Sequence, residues 1–379
     1  MSFGIGWMTT PGENDALMAS GQTPSVDDSA SASPTERDTV APAERVDAYL
    51  NAEISRQRIP GLALAVVKDG RLVLAKGYGL ASVELNVPVT PETVFEIGSL
   101  TKQFTATAIM MLVEQGKLGL DEKINQRLTG LPEAWKDVTV RHLLTHTSGI
   151  KSYTSLADFP HLAITPTSLA EMVRATGQFP LEFPSGQGWQ YSNSGYYLLG
   201  WVVEEASGQS YPEFLNAHIF RPLGMSSTQV NDPRRLVKNR AVGYTREDGQ
   251  LRNAPYVDMS WPYAAGAIVS NVIDLAKWDA AISSHRLITS SSLEQMWTPV
   301  ALTSGRTVPY GFGWDLSPTN GRQTMAHGGS IPGFLTFMAR YPEDRLTVIV
   351  LTNADFSEPE QITRQVAGLF VPEFGLVRE

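Results

Sequence analysis

Apolar residues are spread unevenly along this chain of 379 residues, and their spacing divides it. Residues 1–42 hold few large apolar side chains among Ser, Thr, Pro, Asp and Ala. Such a segment buries too little surface to offset its ordering entropy, so a mobile tail is expected there. From Ala43 onward Val46, Tyr49, Leu50 and Ile54 recur at helical spacing until Pro60-Gly61 halts the pattern. Two apolar runs follow, LALAVV at 62–67 and RLVLAKGYG at 71–79, joined through Lys68-Asp69-Gly70. A short Asp-Gly link between such runs reads as a β-hairpin. Between Thr101 and Gln115 the residues Phe104, Ala106, Ala108, Ile109, Met110, Met111, Leu112 and Val113 leave hardly any polar face. That helix belongs at the centre of the molecule, with Gly116 as its C-terminal stop. Past residue 261 Ser270 is placed to cap a helix through Leu275 and Trp278. Runs with strand-like composition then occupy 310–316, 334–341 and 346–353, and a last helix is expected near 359–369.

The β-rich pieces therefore stand at both ends, with helical periods and Pro-rich loops between them. This predicts one α/β domain of α+β character, built from 43–118 and 262–379. A mostly helical insertion at 119–261 interrupts it, and the tail at 1–42 precedes it. A hydrophobic content of 42% over this length supports a large buried core.

Composition removes several function classes. Thirty-nine acidic and 30 basic residues leave a net charge of −9. An acidic surface repels phosphate backbones, so neither nucleic acid nor a membrane is an expected partner. The cluster Arg234, Arg235, Lys238 and Arg240 is short, lacks interleaved aromatics and reads as a solvated loop. There is no cysteine, which removes disulfides, thiolate catalysis and thiolate-bound zinc together. No apolar run reaches the length of a membrane-spanning helix. The first twenty residues lack the basic and apolar regions of a signal peptide, which makes the cytoplasm the default and leaves the periplasm open. Nothing in the pattern speaks to oligomeric state.

Candidate chemistry begins at Ser99-Leu100-Thr101-Lys102, at the head of the buried helix. Residues three apart share a helix face, so Lys102 can reach the Ser99 hydroxyl. A serine needs a neighbouring base, and a desolvated lysine is one. The helix N-terminus adds free N–H groups for a developing oxyanion, and Gly98 allows close approach of a substrate. A structural N-cap is the competing role for Ser99. Ser148-Gly149-Ile150-Lys151 repeats the spacing, but in a turn-like run with no apolar helix behind it. Tyr191-Ser192-Asn193 supplies a phenol suited to proton shuttling and an amide suited to a substrate carbonyl. Tyr49-Leu50-Asn51 has the same form but falls on the stripe of the first helix. His327-Gly328-Gly329-Ser330 lies beside the run that opens at Phe334, where Gly329 would let a ligand lie against the backbone. Trp189, Tyr196 and Tyr197 read as packing near Tyr191.

Other chemistries find no complete signature. His142 and His146 have the spacing of a zincin helix without its glutamate. Gly77-Tyr78-Gly79 lacks the third glycine of a dinucleotide fingerprint, and no G-x-S-x-G elbow occurs. Neither a metal nor a cofactor is expected.

Ser-x-x-Lys, Tyr-x-Asn and His-Gly-Gly, in that order, resemble the motifs of the β-lactamase and serine penicillin-recognising superfamily. The likeness is strongest to the branch holding class C β-lactamases, D,D-carboxypeptidases, D-aminopeptidases and family VIII carboxylesterases. It runs from about residue 44 to 370 and includes VFEIGSLTKQFTA, VRHLLTHTSGI, YSNSGYYLLG and HGGSIPGF. The resemblance implies a β-lactamase/transpeptidase-like fold, an antiparallel sheet flanked by helices. It implies that Ser99 carries an acyl-enzyme and that Lys102 and Tyr191 share the proton work, with the base left open between them. Asn193 would bond the substrate and Lys102, and the N–H groups of Ser99 and Ser330 would form the oxyanion hole. His327 stands where class C enzymes carry the lysine of Lys-Thr-Gly, and histidine is mostly neutral at pH 7. Weak or absent β-lactamase activity follows. The expected activity is hydrolysis of small carboxylic esters, with a D-amino-acid-specific peptidase, amidase or D,D-carboxypeptidase as the alternative. A non-catalytic penicillin-binding sensor fits less well, because the Ser, Lys, Tyr set is intact.

Overall fold

A computed structural model describes residues 42–371 and Phe374. The tail expected at 1–42 lies, Pro42 apart, outside the described residues.

Helix α1 (Pro42–Gln57) buries Val46 and Leu50 on one face, while Tyr49 is only half-buried. Strands β1 (Gly61–Lys68) and β2 (Arg71–Ser82) pair antiparallel with Lys68 opposite Arg71. Asp69 and Gly70 between them have φ of +52° and +72°. This left-handed pair matches the twist of the strands it joins, which is why Asp-Gly marks the hairpin. A two-residue strand β3 (Val87–Pro88) edges β2. Near the C-terminus come β4 (Met325–Ile331), β5 (Phe334–Tyr341) and β6 (Leu346–Thr352). Together they form one antiparallel sheet of order β4-β5-β6-β1-β2-β3. The first and last thirds of the chain therefore meet along β1 and β6.

Period-two alternation sorts these strands between two cores. Leu62, Leu64 and Val66 of β1, with Val348 and Val350 of β6, face α1 and the C-terminal helix Pro359–Phe370. Ala63, Ala65 and Val67, with Ile349 and Leu351, face the larger core. At its centre is helix α2 (Thr101–Glu114), buried from Thr101 through Met110 and ending before Gly116 at φ +67°. Helix α3 (Asn193–Ser207) packs against α2, and helix α4 (Val272–Ser283) packs against β1 and β6.

Three details differ from expectation. The cap of α4 is Asn271, whose side chain accepts from the Asp274 N–H at 2.8 Å. Ser270 instead ends a short strand, Ile268–Ser270, and its hydroxyl bonds Thr228 at 2.8 Å. The run 310–316 forms isolated bridges rather than a strand, because Gly313 sits at φ +77° and turns the chain. Between residues 119 and 261 the chain is not all helix and loop: Gln229–Val230 pairs with Ile268–Ser270, which in turn pairs with Phe95–Glu96 just ahead of Ser99. A further hairpin, Tyr244–Glu247 with Gln250–Asn253, turns at Asp248-Gly249.

Candidate active site

Ser99 lies in a 3-10 turn, Gly98–Leu100, immediately before α2. The helix is capped at Leu100 with no side-chain cap bond, so the Ser99 hydroxyl is not used for capping. One turn on, Lys102 is fully buried. Its Nζ stands 2.9 Å from Ser99 Oγ, 2.8 Å from Asn193 Oδ1 and 2.7 Å from the Ala265 carbonyl oxygen. Burial holds its pKa well below that of an ordinary lysine. Two of these three partners are pure acceptors. A neutral amine has two N–H bonds and one lone pair. With both N–H bonds given to Asn193 and Ala265, the lone pair faces Ser99. The same three contacts also satisfy an ammonium, so the proton can pass from Ser99 to Lys102 without a change of partners.

Tyr191 completes this side of the site. Its ring centroid lies 4.9 Å from Lys102 Nζ, and that of Tyr196 lies at 5.4 Å. Burial raises the Tyr191 phenol above the usual tyrosine range, and its hydrogen bond with Ser99 pulls the other way. Asn193 opens α3, donating from its backbone N–H to Ser152 Oγ at 3.1 Å and from Nδ2 to Thr154 Oγ1 at 3.3 Å. The second of these bonds orients the amide so that its oxygen meets Lys102.

Strand β4 supplies the opposite wall. A Cβ added to Gly98, at φ +51°, would lie 2.7 Å from the Ser330 nitrogen. One added to Gly329 would lie 2.0 Å from the Ile97 carbonyl oxygen. Only glycine at both places lets the two backbones come this close, which brings the N–H of Ser330 beside the Ser99 turn. His327 Nδ1 lies 2.6 Å from the Gly328 carbonyl oxygen and Nε2 lies 2.8 Å from the Tyr310 hydroxyl. A carbonyl only accepts, so Nδ1 carries the proton and Nε2 accepts from Tyr310. Burial above all, and then the neighbouring Lys102, push the His327 pKa down to about 3, against the opposing bond to Gly328. The imidazole is neutral and both nitrogens are engaged. Beside the turn after Ser330 a cavity of about 500 Å³ lies between Glu96, Asn231 and Arg240 and the apolar Val257, Met259 and Phe334.

The structure thus brings Ser99, Lys102, Tyr191, Asn193, His327, Gly329 and Ser330 to one place. The decoy motifs lie elsewhere in role: Ser148 Oγ accepts from the Ile150 N–H at 3.2 Å, and Lys151 pairs with Glu182 at 3.6 Å. His142 sits on the short helix Val140–Leu144, where its Nδ1 accepts from the Thr139 N–H. His146 falls beyond the helix end at φ +60°, so the two rings do not share a helix face. No group of three His, Cys, Asp or Glu able to hold a metal occurs among the described residues. Arg234, Arg235 and Lys238 are exposed. Sequence reasoning missed the Ala265 carbonyl, Tyr310 and His146 as neighbours of the site. No local pattern signals the first two, and His146 enters the sequence reading only through its zincin-like spacing from His142.

A β-lactamase family profile matches residues 38–370. The chain belongs to the β-lactamase family and is a serine hydrolase of the class that also holds the penicillin-binding proteins. Penicillin-binding protein 4* of Bacillus subtilis is 35% identical over 79% of this chain and 69% of its own length. The D-aminopeptidase of Gluconobacter oxydans is 29% identical over 82% of this chain and 58% of its own length. Among solved structures, a D-amino acid amidase from Ochrobactrum anthropi in complex with D-phenylalanine superposes with a TM-score of 0.78, at 26% identity. That match covers 88% of this chain and 99% of the amidase. An octameric penicillin-binding protein homologue from Pyrococcus abyssi superposes at 0.76 with 30% identity, over 87% of this chain and 77% of its own.

Proposed function

We propose that this chain hydrolyses the amide bond of small D-amino-acid derivatives through an acyl-enzyme on Ser99. The observation that carries the chemistry is the buried Lys102 amine, 2.9 Å from Ser99 Oγ with its other two partners both acceptors. Opposite pKa displacements support one division of the roles that the motifs leave open. Lys102, pushed down, takes the Ser99 proton as Oγ attacks the carbonyl carbon; Tyr191, pushed up, keeps its proton for the leaving nitrogen. The developing oxyanion falls between the N–H groups of Ser99 and Ser330. The C–N bond then breaks with the Tyr191 proton going to nitrogen, and the phenolate recovers a proton from the Lys102 ammonium. Water attacks the acyl-enzyme by the same steps in reverse, returning a proton to Ser99 Oγ.

Substrate class rests on two supports. The relatives named above include a D-aminopeptidase and a D-amino acid amidase, which moves the reading from esters towards amides. The second is polarity: His327 offers no cation for a substrate carboxylate, as a β-lactam or a D,D-peptide would need, and an amino-acid amide has none. The cavity that Ile331 lines, with Val257, Met259 and Phe334 in its wall, is where we place the substrate's apolar side chain. Simple esters meet the same chemical demands and remain the second reading, favoured by the same neutral His327.

A panel of D-phenylalanine amide, its L-enantiomer, a nitrophenyl acetate and a chromogenic cephalosporin tests the proposal. Expected is the highest kcat/KM on the D-amide, with the cephalosporin lower by about tenfold or more, the scale of one missing charge-assisted bond. A cephalosporin value at or above the amide value would make this chain a β-lactamase instead.

A further inference from the structure

Tyr191 lies in an irregular stretch, yet its phenol has to meet Ser99 and Lys102 with hydrogen-bond accuracy. What holds it is a residue 45 positions earlier in the chain. The Gln190 N–H donates to the His146 carbonyl oxygen at 3.0 Å, and the Ser192 N–H donates to His146 Nδ1 at 3.1 Å. His146 therefore grips the backbone on both sides of Tyr191. Its ring also lies against the Tyr191 ring, with centroids 4.3 Å apart and planes at 37°.

Two costs accompany this arrangement. His146 adopts φ +60°, a left-handed conformation unfavourable for a residue with a Cβ. Because Nδ1 accepts, Nε2 carries the proton, and it is buried with no hydrogen-bond partner among the described residues.

We infer that His146 is the positioning residue for Tyr191, acting through the acceptor at Nδ1 rather than on substrate. The inference rests on the reading of Tyr191 as the proton donor. Asparagine places its Oδ1 where Nδ1 stands and tolerates the left-handed backbone, whereas glutamine carries its amide one bond further out.

The test compares His146→Asn with His146→Gln, each alone and in a Tyr191→Phe background, on one amide or ester substrate. Expected is a kcat for the Asn variant within about threefold of the parent. The Gln variant should fall by about tenfold or more, with KM unchanged within about twofold in both. In the Tyr191→Phe background the Gln substitution should cost nothing further, since the group it positions is gone. Equal activity of the two variants, a loss confined to KM, or the same fold-loss in both backgrounds overturns the inference. So does a Gln variant that fails to fold, which would make His146 a folding residue. Parental kcat in Tyr191→Phe alone would instead overturn the reading of Tyr191, a result separable from the others.

Discussion

Burial moves Lys102, Tyr191 and His327 away from their usual ionisation, and each shift has a measurable outcome. Ser99→Ala should abolish turnover with the fold intact, while Ser148→Ala should keep it, because Ser148 only accepts a backbone bond two residues on. Lys102→Ala and Tyr191→Phe should each lower kcat by about a hundredfold or more. The double mutant should be little worse than either, since members of one proton-transfer unit are not additive; losses that multiply would show two independent roles. His327 gives a stability prediction. Folded, it titrates at about 3; unfolded, near 6.5. Below pH 6.5 the unfolded chain therefore binds the extra proton, so the stability His327 contributes is complete above that pH and declines as pH falls towards 3. The decline amounts to about 2 kcal/mol by pH 5. Urea melts of the parent and of His327→Gln at pH 7.5 and pH 5 check it: the variant should lose that much less, and equal losses would mean that the imidazole is charged in the native state.

Among the elements, those announced by short-range chemistry were legible in the sequence. Asp69-Gly70 fixes a hairpin because both residues take left-handed φ, and α2 is central because it has no polar face to expose. The α4 cap was misplaced by one residue because Ser270 and Asn271 are both good caps. Pairing of Ser270 with Phe95, which no local pattern reports, assigns Ser270 to a strand. Asn271→Ala should accordingly cost about 1 kcal/mol and Ser270→Ala should leave α4 capped, as thermal melts of the two can show. In β4 the demand is steric. Gly329→Ala would set a methyl 2.0 Å from the Ile97 carbonyl oxygen, within the backbone of the Ser99 turn. That variant should lose activity even where it folds, whereas Gly328→Ala, whose nearest neighbour would be a Phe337 ring carbon at 3.4 Å, should be far milder. Comparable kcat for the two would remove the close approach from the argument.

On the scale of the whole molecule the candidate site draws on residues near 98–102, 146, 191–193, 265, 310 and 327–330. Three of these segments carried recognisable motifs. The others act through a carbonyl, a phenol or a ring whose partners lie far along the chain, as Tyr310 does for His327 and His146 for Tyr191, and no spacing rule reaches that distance. A site assembled from so many segments should fail together with the fold. Activity and tryptophan fluorescence are expected to disappear in one urea transition, and activity lost at clearly lower urea would show that the site opens locally first. The sheet order has a further consequence for how the chain is made. β6 is the strand that joins the hairpin β1-β2 to the hairpin β4-β5, and among the described residues it is the last strand to be made. Until it emerges, the nascent protein holds two hairpins with no strand contact between them and an apolar β1 without its second neighbour. A message that stopped short of Leu346 would therefore yield a chain that carries every residue of the candidate site and cannot assemble it, with open strand edges exposed to aggregation or to chaperones.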